Sequence, residues 1–516
     1  MTMALADAVF LLHPDDPVAI ARRELEPGTE LHSGGRDIVV RDTVPCGHKL
    51  ALTDVAEGAE VHKYGLPIGV ATRTIAAGDH VHEHNLRSLS RSGLPVGTGA
   101  SSGSPAPVAV LEPPSPIPTF DGIIRPDGRV GTRNYIAVLS TVNCSATVVK
   151  RIASAFSAPG ALDNHPGVDG VIAITHATGC GMAADGEGLA VLRRTLAGYA
   201  RHPNVAGVLV IGLGCEVNQI AGLSAELDLP DGVPVDRMTI QELGGSVATV
   251  RTGIERIREL LPLAATPRRP VPASALMLGL NCGGSDGWSG VTANPVLGAA
   301  VDRLVACGGT AILGETPEIH GAESLLTCRA SPEVAAQLLE RIEWWERYAG
   351  AEGGNLDNNP SPGNRAGGVT TIEEKALGAV AKGGSTRLRA VYRYAEPVTE
   401  PGLVFMDTPG YDPVSVTGIV AGGATIVCFT TGRGSVFGSK PAPSLKLATT
   451  TQLYDRMPDD MDFNAGAVLD GEATVSELGQ VLFDDILAVA SGRRTKSEEF
   501  GFGDEEFAPW QLGAVM

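Results

Sequence analysis

Tyr135-Ile136-Ala137-Val138-Leu139-Ser140-Thr141-Val142-Asn143-Cys144 decides the architecture, because five apolar residues run without a break into hydroxyl, amide and thiol groups. The pattern recurs at Gly170-Val171-Ile172-Ala173-Ile174 and at Val208-Leu209-Val210-Ile211, with helical-looking sequence between the runs. A strand that is apolar on both faces is covered on both faces, so the alternation predicts α/β layers around parallel strands. Beyond a break at Thr266-Pro267-Arg268-Arg269-Pro270-Val271-Pro272 the texture repeats, with strands expected at 275–280, 311–313, 403–406 and 425–429.

Toward the N-terminus the texture differs. Val9-Phe10-Leu11-Leu12, Asp37-Ile38-Val39-Val40, Lys49-Leu50-Ala51-Leu52 and Gly69-Val70-Ala71-Thr72 are short strand-like pieces separated by turn signals, which predicts a small β module. Gly99-Ala100-Ser101-Ser102-Gly103-Ser104-Pro105 and Pro113-Pro114-Ser115-Pro116 cannot bury a core and read as a linker. The expected division is a module at 1–94, a mobile linker at 95–119, a middle α/β domain at 120–266 and a second α/β domain at 267–516, with the module folding independently.

Composition narrows the function. Lys and Arg total 40 against 59 Asp and Glu, a formal charge of −19, which makes nucleic acid and anionic membranes poor partners. An anionic substrate would need a local cationic or metal-centred site. The start lacks a basic region followed by a long apolar run, and later apolar runs are short, so the expected location is the cytoplasm without a membrane span. Eight cysteines without a CxxC pair predict reduced thiols. Neither GxxxxGK[ST] nor a clear GxGxxG is present, so no nucleotide is expected.

Ligands of open α/β sheets bind beyond the carboxyl ends of the strands. There the sequence places Cys144, the run His176-Ala177-Thr178-Gly179-Cys180, the run Gly214-Cys215-Glu216, and Cys282-Gly283-Gly284-Ser285-Asp286. Four thiols and an imidazole at strand ends suit a soft-ligand metal site; the alternative for each Cys is a small buried hydrophobe. In the module, His80, His82 and His84 alternate, so in a strand they share one face and can bind a divalent ion, line an anion pocket, or form a solvated face. Glycine-rich turns at Gly314-Glu315-Thr316-Pro317-Glu318, Pro362-Gly363-Asn364-Arg365 and Thr431-Gly432-Arg433-Gly434-Ser435 set backbone beside groups suited to carboxylates or polyols.

With Gly128-Arg129-Val130-Gly131-Thr132-Arg133-Asn134 and Thr292-Ala293-Asn294-Pro295, these motifs resemble, in order, the altronate/galactarate dehydratase family, and Gly47-His48-Lys49 and Lys63-Tyr64-Gly65 resemble its SAF-type β-clip domain. The resemblance implies a β-clip domain, a middle domain that dimerises, and a Rossmann-like C-terminal domain without a nucleotide role. It also implies a homodimer, iron(II) or another divalent ion such as Mn(II), and loss of water from a sugar acid such as D-altronate or galactarate to give a keto-deoxy acid. One branch of the family eliminates sulfite from sulfolactate. Asn364-Arg365 replaces the usual Asn-Lys, and Ser435-Val436-Phe437-Gly438 the usual Thr-Pro-Tyr-Gly, which bears on substrate choice.

Removing a proton beside a carboxylate requires a stabilised enediolate and a placed base, hence a divalent ion. The expected metal ligands are Cys144, His176, Cys180 and Cys282, with Cys215 as a fifth. Arg133 and Arg433 are expected to hold the carboxylate, with Asn134, Asn364 and Ser435 completing the substrate site. Asp286, Lys375 and Glu216 are the expected acid–base residues, although Asp286 could form an Asx turn and Lys375 could pair with helix glutamates. The alternatives are an iron–sulfur hydro-lyase using three of the strand-end thiols, and a non-catalytic sugar-acid-binding protein.

Overall fold

The computed structural model describes residues 2–33, 36–89, 108–109, 111–230, 232–351 and 353–515. Most of the expected linker lies outside the described residues.

The apolar run from Tyr135 forms the strand Tyr135–Ser140, inside an all-parallel four-stranded sheet ordered Gly170–Ile174, Tyr135–Ser140, Val205–Gly212, Val235–Thr239. Helices Ala146–Ser154 and Ser246–Ala264 cover one face through Val149, Ile152, Ile257 and Leu261. Helix Glu187–Ala200 covers the other, and its core continues into Val416, Val420, Val427 and Phe429 of the next layer. Each buried Val, Leu or Phe contributes roughly 1.5–3 kcal/mol, so this shared core fuses the two α/β layers into one body.

That next layer is a seven-stranded, all-parallel sheet ordered Leu388–Tyr392, Gly402–Met406, Thr310–Leu313, Met277–Cys282, Ile426–Thr431, Ser444–Ala448, Phe463–Asn464. The chain lays down Met277–Cys282, then Thr310–Leu313 and the two strands beyond it on one side, and afterwards Ile426–Thr431 and the strands on the other side. The switch point therefore falls between these two neighbours, where an open sheet places its ligand crevice. Helices Ala293–Ala306 and Val475–Ala490 pack on one face through Leu297, Leu304, Leu482 and Ile486.

The N-terminal module is built of short strands in three small sheets, one of them ordered Val9–Phe10, Val18–Ala21, Lys49–Ala51, His80–Val81. It is docked on the C-terminal layer through buried contacts. Lys49 Nζ donates to Gly368 O, Thr370 Oγ1 and Glu374 Oε2, each at 2.8 Å, and Lys63 Nζ donates to Glu374 Oε1 at 2.8 Å, all buried. The backbones meet as closely as glycine allows, since a Cβ on Gly287 would come within 2.0 Å of Gly47 O. A linker that cannot pack says nothing about whether the surfaces it joins can.

Candidate functional site at the carboxyl edge of the large sheet

Cys282 ends the central strand, and Glu315 and Glu318 lie just past the neighbouring strand, Glu318 within the 3-10 turn Thr316–Ile319. Among the described residues, these three form a group whose possible ligand atoms all lie within 4.8 Å of one another. Two ammonium groups approach from helix Ile372–Val380 and the turn that follows it. Lys382 Nζ lies 2.7 Å from Cys282 Sγ and 2.9 Å from Glu315 Oε2, and Lys375 Nζ lies 2.7 Å from Glu318 Oε1 and 2.6 Å from Asn359 Oδ1. Cys282 Sγ is 3.1 Å from Glu318 Oε2.

Cys282, Glu315, Glu318 and Lys382 are buried and Lys375 is partly so, and the charges answer one another. Burial and the Glu318 carboxylate lift the Glu315 carboxyl to about 7 against the pull of Lys382. Burial opposes ionisation of Glu318, but Lys375 and Lys382 outweigh it and hold its carboxyl below the usual range. Burial, Glu315 and Glu318 push the Cys282 thiol well up. Asp412, which begins helix Asp412–Ala421, rises to about 8 through burial and the same two glutamates.

Two buried acceptors here, Glu315 Oε1 and Asn281 Oδ1, have no hydrogen-bond partner. An unsatisfied buried polar atom costs about 1–3 kcal/mol. One thiol, two carboxylates and free oxygen lone pairs make a mixed donor set that fits a divalent transition ion such as iron(II) or manganese(II). Glu315 also holds the left-handed conformation, φ 66° and ψ 63°, fixed by its N–H donating to Thr408 Oγ1 at 2.7 Å. That conformation is uncommon for a residue with a side chain.

Several expected site residues gather round this cluster. Lys375 is in it, paired with Glu318 and not with the helix glutamates, although Thr371 does cap the helix by accepting from Glu374 N. Asn364 donates to Ser285 O at 2.9 Å and lies 3.5 Å from Lys375 Nζ. Asp286 accepts from Trp288 N, Ser289 Oγ and Thr449 Oγ1 in the switch-point crevice, an Asx-type arrangement. Arg433 is exposed beside it, with its backbone N–H bonded to Gly284 O, and Ser435 Oγ accepts from Phe437 N.

Others stand elsewhere. Arg133 is buried, with its guanidinium on both Glu498 oxygens and on the carbonyls of Thr132, Val489 and Arg493, so its donors are engaged within the protein. Asn134 accepts from Arg125 and donates to Ala264 O. Cys144, His176, Cys180, Cys215 and Glu216 lie at the carboxyl edge of the middle sheet, apart from the Cys282 cluster. Both His176 nitrogens are engaged there, with Ser140 O at 3.1 Å and Thr178 Oγ1 at 3.0 Å, and burial lowers its pKa to about 4.

Beside the site, between module and C-terminal layer, an open cleft of about 700 Å³ is lined by His48, His80, His82, Glu83, Pro360 and Arg365. His48 Nδ1 is 3.0 Å from His80 Nε2. Burial lowers these two imidazoles to about 4 and about 3, so they are neutral at pH 7. Sequence reasoning passed over Glu315 and Glu318 as ligands, and over Lys382 and Asp412 entirely. The turn 314–318 did stand out, and two acids just past an apolar strand were the available signal.

These features define a class of protein: a parallel α/β body with a docked β module and, at its strand ends, a thiol–carboxylate cluster that could hold a metal ion. The family models described as "D-galactarate/Altronate dehydratase, C-terminal", "D-galactarate dehydratase/Altronate hydrolase, second domain" and "Altronate/galactarate dehydratase SAF domain" match residues 273–515, 122–265 and 7–89. The chain is 37% identical over 507 residues to altronate dehydratase of Escherichia coli (strain K12), covering 98% of this chain and 99% of that protein. It is 35% identical to altronate dehydratase of Bacillus subtilis (strain 168), with the same coverage, and 38% identical to galactarate dehydratase (L-threo-forming) of E. coli K12, covering 96% and 95%. The chain belongs to the altronate/galactarate dehydratase family.

Proposed function

We propose that the protein is a hydro-lyase that removes water from a sugar acid, an aldonate such as D-altronate or an aldarate such as galactarate, to give a keto-deoxy acid. The observation that carries the reading is the buried Cys282–Glu315–Glu318 group with its unpartnered oxygens, flanked by two ammonium groups. Near-full-length similarity to altronate and galactarate dehydratases supports it. The cofactor proposed is iron(II), held by Glu315, Glu318 and Cys282; bound there, it would supply the Lewis acidity that stabilises an enediolate and a departing hydroxide.

The chain's own residues do the rest. Lys375 and Lys382 are held cationic by their glutamates and attract the substrate carboxylate into a protein of net charge −19. Arg433, exposed at the switch point, offers bidentate donors to a second carboxylate or a terminal hydroxyl. Asn359 and Asn364 hold the Lys375 ammonium in place. Asp412 is the carboxyl group placed to pass a proton between substrate and solvent, because it borders the cluster without belonging to its ion pairs. A homodimer in the cytoplasm completes the proposal. No helix among the described residues is long and apolar enough to cross a membrane.

The test is an anaerobic panel of hexonates and hexarates with iron(II), read as keto-deoxy acid formed, with sulfolactate as a control. Product from an aldonate or aldarate is expected. Sulfite from sulfolactate and no keto-deoxy acid would place the chain in the sulfo-lyase branch.

A further inference from the structure

Three of the four strand-end thiols lie outside the C-terminal cluster, and the fold collects them. Cys144, Cys180 and Cys215 follow Tyr135–Ser140, Gly170–Ile174 and Val205–Gly212, three adjacent parallel strands with Tyr135–Ser140 in the centre. Neighbouring strands lie about 4.8 Å apart, so the three loops start within about 10 Å of one another. All three cysteines are free and exposed, whereas Cys282, Cys307 and Cys428 are buried.

The loops are stapled together. Asn143 N donates to Thr178 O at 2.9 Å, which ties the Cys144 loop to the Cys180 loop. Glu216 and Asn218, both from the Cys215 loop, reach the other two. Glu216 accepts from Thr141 Oγ1 at 2.6 Å and from its own loop's Leu213 and Gly214 N–H groups, while Asn218 donates to Thr141 O at 2.9 Å and to Gly179 O at 3.0 Å. The contact between the first two loops is close enough to require Gly179, with φ +97°, where a Cβ would come within 2.3 Å of Thr141 O. Loops fixed this firmly hold whatever their side chains carry at set positions.

We propose that Cys144, Cys180 and Cys215 are a three-thiolate mount for a [4Fe–4S] cluster at the carboxyl edge of the middle sheet. Two observations select a cluster over a single ion. The three sulfurs do not all lie within 4.8 Å of one another, whereas the Cys282 group does satisfy that spacing. Both His176 nitrogens are engaged, and the Glu216 carboxylate is taken up by Thr141 Oγ1 and the Leu213 and Gly214 N–H groups, so the exposed soft donors at this edge are the three thiols, a set that suits iron–sulfur chemistry. Binding is ligation only: each thiol gives its proton to water and its sulfur lone pair to one iron. Two iron(II), two iron(III) and four sulfides compose the cluster, so no outside oxidant or reductant is consumed. The fourth iron has no protein thiolate and is left open to an oxygen ligand such as a hydroxyl or carboxylate.

Full-length protein, purified anaerobically and supplied with equal iron(II) and iron(III) plus sulfide, should carry about four acid-labile sulfide per chain, with about four iron beyond any single ion held at Cys282, and absorb broadly in the visible. Cys144→Ser, Cys180→Ser and Cys215→Ser should each lose sulfide and absorbance while keeping the thermal midpoint of the unloaded protein. Cys282→Ser, Cys307→Ser and Cys328→Ser should retain both. Because the readout uses no substrate, it is independent of the dehydratase proposal. Iron without sulfide, a disulfide among the three thiols in the anaerobic protein, or full cluster content in the three loop variants would overturn the assignment.

Discussion

The C-terminal cluster is two carboxylates, a thiol and two ammonium groups crowded into one buried volume, and its residues are worth more as partners than singly. Removing one member of a buried ion pair costs about 3–5 kcal/mol, because the other charge is left uncompensated. Lys382→Met should therefore destabilise the metal-free protein by about that much in denaturant titrations, since Glu315 loses the cation 2.9 Å away. Saturating manganese(II) should recover part of the loss by supplying the missing charge. If the ion left the deficit unchanged, the cluster would not be its site. Glu318→Gln removes a donor and strands Lys375; metal content and turnover should fall together, turnover by about 100-fold or more.

At the scale of elements, much of the fold was legible and part of the site was not, for one physical reason. Val205–Gly212 and Gly402–Met406 announce themselves because both faces are buried and the sequence is apolar throughout. Ser444–Ala448 hides because Lys446 interrupts it; the ammonium is buried and donates to Phe437 O, a partner that only the tertiary fold supplies. The same holds for the cluster. Cys282 is visible as a thiol at a strand end, but Lys382 becomes a site residue only when the turn after Ile372–Val380 is packed against Glu315.

The docked module gives an element-scale prediction with a sign. Lys49 and Lys63 pull the Glu374 carboxyl down to about 2 although burial opposes its charge. A carboxyl lowered in the folded state stabilises fully above its ordinary 4.5, and that contribution is lost as the pH falls toward 2. His48 and His80, lowered to about 4 and about 3, add an earlier window: folding disfavours their protonation, so stability is lost from about pH 6.5 downward. The thermal midpoint should therefore fall in two stages on acidification. His48→Gln should shrink the first stage and Glu374→Gln should remove the second. At pH 7, Glu374→Gln should itself cost about 3–5 kcal/mol, because two buried ammonium groups lose their counter-ion. An unaltered acid profile in both variants would mean that the docking surface does not govern acid stability.

On the scale of the whole molecule, the module's contribution comes from its surface and not from its covalent connection. It brings Lys49 and Lys63 to Glu374 on one side of helix Ile372–Val380, while Lys375 of the same helix faces Glu318 on the other. The module thus clamps the helix that positions a site cation, and it walls the cleft with His48, His80 and His82. A linker between such surfaces mainly sets an effective concentration. Separate polypeptides spanning residues 1–89 and 112–516 should therefore be nearly inactive alone and regain turnover when mixed, with an apparent affinity that weakens on acidification through the Glu374 and imidazole windows. Salt should weaken it little, because the central ion pairs are out of water. Two soluble halves that bind each other without restoring turnover would show that the covalent connection does more than tether, and halves that never bind would show that the buried Lys49–Glu374–Lys63 contact forms only while the chain folds as one piece.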